Sequence, residues 1–204
     1  NTRRRAQTLS ARRSAAAAET DIFYVSVNAG SSWVDKTTGM TGADPDVSLS
    51  TSITLSGSSS SRIKVTDAAG NDGATASTSY TLDTTAPTIS FASVDISADT
   101  GSSATDFITK TAAQTLTGTL SAAMASDDIL KVSVDAGSSW DDVTADVTGT
   151  PDTALSTVIA LSGTSAIHLQ ITDDAGNAGT ADTTSYILDT TAPTISFASV
   201  DISA

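Results

Sequence analysis

The chain has 204 residues, with 23 Asp and Glu against ten Lys and Arg, so its formal net charge is −13. This acidic balance makes nucleic acid and anionic membranes poor partners, and no apolar run is long enough for membrane insertion. The chain has no Cys, which excludes disulfides and thiolate zinc sites.

The sequence contains a long internal repeat. Residues Leu82–Ala98 and Leu188–Ala204 are identical over seventeen positions at a spacing of 106, and VSVNAGSSW from Val25 recurs as VSVDAGSSW from Val132 at a spacing of 107. Self-similarity at a fixed period is typical of tandem domains. The offsets predict three segments: 1–84, a repeat lacking its first strand; 85–190, a complete repeat; and 191–204, the first strand of a third repeat.

Period-two alternation between short clusters of Gly, Ser, Asp and Asn predicts an all-β chain. In the complete repeat, the first strand covers about Thr88–Ser97, where a change of parity predicts a bulge near Ala92. Later strands place Leu116 and Leu130 inward, and the last ends at Leu188. Seven strands in about 106 residues predict tandem immunoglobulin-like β-sandwich repeats, joined end to end by short linkers stiffened by Pro.

Two local placements depend on aligning the repeats. The serine-rich stretch Ser56–Ser61 aligns with Ser162–Ile167, where a turn between strands is expected, so we interpret it as a loop and not a linker. His168 alternates with inward-facing residues, which predicts a solvated position on the outer face of its strand.

Aspartates gather in the predicted loops. Asp accounts for 22 of the 23 acidic residues, and it ligates hard cations from tight turns. Asp99 and Asp106 bound a loop that alternating strand direction brings to the same end of the domain as Asp189, while the opposite end carries Asp173 and Asp174. Carboxylates this close repel one another without a cation, which predicts Ca²⁺ at each domain junction. The open alternative is that these residues only form turns.

Several motifs in this order, including DTTAPT, DTGSSATDFIT, VSVDAGSSW and TDDAGN, resemble the bacterial immunoglobulin-like repeats of giant calcium-dependent adhesins, such as the RTX and biofilm-associated proteins. The resemblance covers the chain from about residue 21. It implies a secreted protein of the bacterial cell surface, in which such repeats are structural extenders that contact neighbouring repeats of the same protein. Carried over, the Ca²⁺ ligands are Asp99, Asp106 and Asp189, with Asp83 facing Asp173 or Asp174.

Other functions remain open at this point. A direct glycan- or ice-binding module would need outward threonine rows or exposed aromatic residues; Thr115, Thr117 and Thr119 form one short row, and aromatics are only 4% of the chain. Strand addition between copies is a further alternative, because residues 191–204 repeat a first strand that the segment 1–84 lacks.

We expect no enzymatic activity. Asp99-Thr-Gly-Ser102 matches the signature of aspartic proteases, but such enzymes need two of these aspartates, and neither an apolar flanking strand nor a second copy is present. A Ser/His/Asp triad around His168 is disfavoured by its outward position and by Arg62 at the matching place in the first repeat.

Overall fold

The computed structural model describes residues 2, 5–12, 18, 20–41 and 48–201. The chain divides into two compact units. The first unit contains Asn1–Ala86 and Asp174–Asn177, and the second contains Pro87–Asp173 and Ala178–Ala204. The described residues form strands and loops with only short 3₁₀ turns as helix, in mainly antiparallel sheets, which confirms the all-β, immunoglobulin-like sandwich prediction.

The first unit has two sheets. Its strands are β1 (Ala6–Arg12), β2 (Ile22–Ser26), β3 (Val34–Asp35), β4 (Met40–Thr41), β5 (Ser48–Thr54), β6 (Ser58–Thr66) and β7 (Ala76–Thr81). One sheet has the order β1-β5-β4 and the other β3-β2-β6-β7, and these strands pair antiparallel. An isolated parallel bridge also joins Thr2 to Leu82. A 3₁₀ turn at Thr37–Gly39 separates β3 from β4.

The second unit repeats this plan, with an added strand at one edge and a longer parallel pair at the position of the Thr2–Leu82 bridge. Its strands are β8 (Phe91–Ile96), β9 (Ile108–Thr109), β10 (Ala113–Leu120), β11 (Ile129–Ser133), β12 (Asp141–Asp142), β13 (Val147–Gly149), β14 (Asp152–Ala160), β15 (Thr164–Thr172) and β16 (Asp182–Leu188). The sheets have the orders β13-β14-β10-β8 and β12-β11-β15-β16-β9. The β16–β9 pair is parallel and the others are antiparallel.

The core of the second unit lies between its sheets and follows the predicted alternation. Leu116 of β10 and Leu130 of β11 are both 0% exposed, and Tyr186 of β16 is 1% exposed. The predicted bulge is confirmed: Thr119 pairs with Ser93 and Leu120 with Phe91, so Ala92 is the extra residue.

The core of the first unit is smaller among the described residues, because polar residues replace apolar ones. Val25, Leu49, Ile53 and Leu55 form its buried cluster. At the position of buried Val143 the first unit has Lys36, whose Nζ donates to Ser52 O at 3.1 Å. At the position of Ile167 it has Ser61, whose buried Oγ has no hydrogen-bond partner.

Two sequence predictions need correction. The stretch Ser56–Ser61 is mostly strand and not loop, because β6 begins at Ser58 and pairs with β7 from that residue onward. The first strand of the second unit is shorter than predicted and begins at Phe91. The prediction that residues 191–204 form the first strand of a third repeat stays a prediction; residues 191–201 lie outside strands, with Ile195, Phe197 and Val200 exposed.

Candidate metal-binding loop

The loop between β8 and β9 contains Asp99 and Asp106, two of the predicted calcium ligands. Asp99 Oδ2 accepts a hydrogen bond from the Phe107 amide at 2.9 Å, and Asp106 Oδ1 accepts one from the Ile108 amide at 3.1 Å. Phe107 has φ 58°, a left-handed conformation that is costly for a bulky residue. The two carboxylates therefore hold the same sharp reversal of the chain.

Gly101 allows this loop to close. A Cβ at this position would lie 3.1 Å from Ile108 O and 3.6 Å from Asp106 Oδ1. The opposite side of the loop is fixed by Thr100, whose Oγ1 accepts from the Lys110 amide at 2.9 Å. Carboxylate, hydroxyl and backbone oxygens are thus concentrated in one short segment.

The second carboxylate oxygen of Asp99 has an unusual environment. Asp99 Oδ1 is buried and accepts no hydrogen bond. Buried polar atoms nearly always have a partner, and an anionic oxygen without a donor is especially costly. A hard cation supplies such a partner, since Ca²⁺ prefers carboxylate oxygens. The environment of Asp99 therefore fits a calcium ligand.

Asp189 and Asp83 occupy equivalent positions after the last strand of each unit. Asp189 Oδ1 accepts from the Thr191 amide at 2.9 Å, and Asp83 Oδ1 accepts from the Thr85 amide at 3.0 Å. The Asp189 amide donates to Thr109 O at 2.9 Å, which places its backbone beside β9. One oxygen of each carboxylate thus stabilises its own turn, as the alternative interpretation expects.

Asp173 and Asp174 lie in the turn after β15, where Asp173 is half-buried and Asp174 is exposed. Within the ranges that the structure describes, no three Asp, Glu or His side chains are grouped so that they could hold a metal ion. Calcium also accepts backbone carbonyl and hydroxyl oxygens and water as ligands. The six-aspartate ligand set therefore stays a prediction, with Asp99 and Asp106 in one loop.

The Asx-Ala-Gly turns that precede each Trp are organised by the side chain of their Asx residue, a role that loop composition alone did not predict. Asp135 Oδ1 accepts from Ser133 Oγ at 2.7 Å and from the Ser139 amide at 2.9 Å, and Oδ2 accepts from Ser139 Oγ at 2.6 Å. Asn28 binds Ser26 and Ser32 in the same way in the first unit. The Ser-x-Asx-x-x-x-Ser spacing is the sequence signal for this arrangement.

These donors lower the pKa of Asp135 well below its ordinary value of 3.8. The Ser139 hydroxyl has the largest effect, followed by the Ser139 amide and the Ser133 hydroxyl, while desolvation opposes them. The carboxylate is thus held in its ionised form as the acceptor that organises the turn.

We expect Asp135→Asn to flatten the acid limb of the stability profile of the second unit. A lowered folded-state pKa stabilises the fold above pH 3.8, and this contribution is lost as the pH falls below 3.8 through the folded-state value. Denaturation midpoints measured from neutral pH into this range should therefore fall less steeply in the variant. Ser139→Ala should flatten the profile in part, and parallel profiles for all three proteins would contradict this role.

Aromatic residues pack on the outer face of the β2- and β11-containing sheets. The Trp140 and His168 rings lie 6.1 Å apart, and Trp140 Nε1 donates to Gly137 O at 3.1 Å. In the first unit Lys64 Nζ lies 4.7 Å from the centre of the Trp33 ring. His168 is therefore on the predicted face, but it is half-buried against Trp140 and not simply solvated.

The threonine row of β10 does not extend into a broad array. Thr117 and Thr119 are exposed, but their partners on the neighbouring strands are not threonines. The partners on β14 are Ser156 and Ala154, and the partners on β8 are Asp95 and Ser93, respectively. A regular array of threonines would be needed for a flat binding face. The row gives no support to an ice-binding surface.

In the described part of the chain, no helix has the length and apolar character needed to cross a membrane. No protein-family model matches the chain, and no curated protein matches it.

Among solved structures, the chain is similar to the fibronectin(III)-like modules of Clostridium thermocellum CbhA, at 13% identity over 92% of this chain and 86% of that chain, with a TM-score of 0.43. It is also similar to a 1.5-MDa bacterial ice-binding adhesin, at 16% identity over 92% and 59%, with a TM-score of 0.38. A chimeric titin Z1Z2 with an exogenous decorin peptide matches at 12% identity over 92% and 90%, with a TM-score of 0.29. At these identities the likenesses assign no family.

Proposed function

We propose that this chain is part of a structural extender in an extracellular adhesin or fibre of a bacterial cell surface. The observation that carries the proposal is the duplication: β1 to β7 and β10 to β16 follow the same order, and the sequences repeat at spacings of 106 and 107. Repeating one sandwich adds length without adding a reaction site. The motifs shared with adhesin repeats support the extracellular location.

A binding assay separates the extender from a direct binding module. The purified chain, labelled at its single amino terminus, is applied to a glycan array and to growing ice, with a known binder of each as the positive control. We expect retention no greater than that of a β-sandwich with no ligand. Specific retention on either surface that is lost on Trp33→Ala or Trp140→Ala would overturn the extender role.

We propose further that Ca²⁺ binds the loop between β8 and β9, with Asp99 and Asp106 as its carboxylate ligands and Asp189 beside them. The buried, unpartnered Asp99 Oδ1 supports this proposal, because a cation would satisfy it. Bridging of junctions by calcium, with Asp83 facing Asp173 or Asp174, remains a prediction from sequence.

Calcium should raise the melting temperature of the second unit. A ligand that binds only the folded state at ten times its Kd stabilises it by about 1.4 kcal/mol. Melting is recorded in millimolar Ca²⁺ and in excess chelator, with Mg²⁺ at the same ionic strength as a control. Asp99→Asn and Asp106→Asn should abolish the calcium effect, whereas Asp95→Asn, which removes the same charge from β8, should retain it. If Ca²⁺ does not change the melting temperature of the parent protein, these aspartates only form turns. That result would not contradict the extender proposal.

A further inference from the structure

The first unit has an apolar pocket on one side of its sandwich. The pocket has a volume of about 270 Å³ and is lined by residues of β2, β3 and β5. Its apolar lining consists of Val25, Val27, Val34 and Ile53, and Lys36 also lines it. An apolar cavity of about 150 Å³ is large enough to bind benzene. The pocket is therefore large enough for an aromatic ring with a short side chain.

Two positions around β3 differ between the units in a way that explains the pocket. In the second unit Val143 is 7% exposed and belongs to the hydrophobic core, while Asp141 is exposed. In the first unit Lys36 stands at the position of Val143, and Val34 stands at that of Asp141. The short Val143 side chain packs into its sandwich, whereas a lysine carries its charged end away from apolar surroundings. We attribute the pocket to this exchange.

Val34 adds apolar surface to the pocket. It pairs with Val25, and directly opposite residues of an antiparallel pair have side chains on the same face of the sheet. Val25 is 2% exposed, so this face is the one that forms the core. Val34 lies on the same face but is 55% exposed. A ligand in the pocket would therefore cover apolar area that the protein itself leaves in contact with water.

Lys36 gives the pocket a positive charge. Its Nζ donates to Ser52 O at 3.1 Å, which uses one of the three donors of the ammonium group. The adjacent Asp35 carboxylate accepts instead from the Thr37 amide at 2.9 Å and from the Thr37 hydroxyl at 2.7 Å. Because the chain has a formal net charge of −13, this positive charge is a local feature and not part of a basic surface. Lys36 can thus donate to an anionic group in the pocket.

We infer that this pocket binds a small apolar carboxylate, such as an arylalkanoic acid. The apolar part of the ligand contacts Val25, Val34 and Ile53, and its carboxylate accepts a hydrogen bond from Lys36 Nζ. Ligand pockets commonly combine apolar walls with a few polar groups that fix the orientation of the ligand. A hydrophilic anion would not cover the apolar walls, and a neutral apolar molecule would not pair with the ammonium group. The pocket shares no residue with the loop between β8 and β9, so the inference is independent of calcium.

An NMR titration of the ¹⁵N-labelled chain with 3-phenylpropionate tests the pocket. We expect saturable shifts of the Val27 and Val34 amide signals, while the equivalent Val134 and Asp141 signals in the second unit stay unchanged. The alcohol 3-phenylpropanol keeps the carbon skeleton without the charge and should bind about tenfold more weakly, because a charge-assisted hydrogen bond is lost. Acetate has no apolar part and should give no saturable shift. Equal shifts in both units, no saturable shift with 3-phenylpropionate, or equal affinity for acid and alcohol would overturn the inference.

Variants of Lys36 separate its charge from the space beside it. Lys36→Met keeps an unbranched side chain and removes the ammonium group, so it should weaken 3-phenylpropionate binding by about tenfold and leave 3-phenylpropanol binding unchanged. Lys110→Met removes the same charge from an exposed position of the second unit and should bind like the parent. Lys36→Val introduces the residue of the second unit and should abolish binding of both probes. Unchanged affinity in Lys36→Met, or binding that persists in Lys36→Val, would contradict the inference without affecting the extender proposal.

Discussion

Leu116→Ala lowers the free energy of unfolding of the second unit by about 2–5 kcal/mol, the range for deleting a fully buried leucine side chain. Leu116 is 0% exposed between β14 and β8. The equivalent change, Leu9→Ala, should cost the first unit less, because Leu9 is only half-buried and lines a groove of about 170 Å³, so its removal leaves a smaller enclosed cavity. The pair of variants measures how much the degree of burial at this position of the sandwich contributes to stability.

Each unit contains one Trp, so the two losses can be measured separately in one chain. Trp140 fluorescence reports the second unit in a Trp33→Phe background, and Trp33 reports the first unit in a Trp140→Phe background. Denaturant titrations give each free energy, and an unchanged m-value confirms that the unfolded states are comparable. In a domain of this size a loss of 1 kcal/mol lowers Tm by about 4–8 °C. Equal losses at Leu9 and Leu116 would contradict the prediction that the half-buried leucine contributes less than the fully buried one.

Much of the fold was predictable because the same alternation of apolar and polar residues occurs in both repeats. Alternation placed Leu116 and Leu130 inward, and the change of parity in the first strand located the bulge at Ala92. Both are local properties of the sequence, since side chains alternate across a strand and one extra residue reverses their parity.

The errors arose where long-range pairing overrides local composition. Ser58 to Ser61 have a turn-like composition, yet they form the first part of β6 because its pairing with β7 continues through them, from Ser58 with Thr81 to Ser61 with Thr78. His168 was placed on the correct face, but its contact with Trp140 depends on a turn about 30 residues earlier in the chain. Neither outcome is encoded in the residues immediately around it.

The candidate metal-binding loop was likewise predictable in part from local sequence and depends in part on how the chain folds. Spacing located the loop between Asp99 and Asp106, and Asp is equally suited to calcium ligation and to turn formation. The hydrogen bonds of Asp83 and Asp189 to their own turns follow from local sequence. The burial of Asp99 Oδ1 without a donor depends on how the loop folds back on β9, and composition gives no sign of it.

Tyr186→Phe lowers the free energy of unfolding of the second unit by about 1–3 kcal/mol, and Tyr186→Ala by about 3–5 kcal/mol. The ring is 1% exposed, and its hydroxyl donates to Val134 O at 2.7 Å and accepts from Ser162 N at 3.2 Å. These bonds join β16 to the end of β11 and to the turn between β14 and β15. The Phe variant keeps the ring and removes only these bonds, so the difference between the two variants measures the packing of the ring.

Tyr80 provides the matched control in the first unit. Its hydroxyl donates to Val27 O at 2.6 Å, the same bond at the equivalent position, but its ring is only half-buried. Tyr80→Phe should therefore cost the first unit less, because water reaches the carbonyl more easily when the hydroxyl is removed. The single-Trp reporters follow each unit in denaturant as for the leucine variants. A Tyr186→Phe protein as stable as the parent would show that Val134 O and Ser162 N find other partners, and the hydroxyl would then have no role in holding the three strands together.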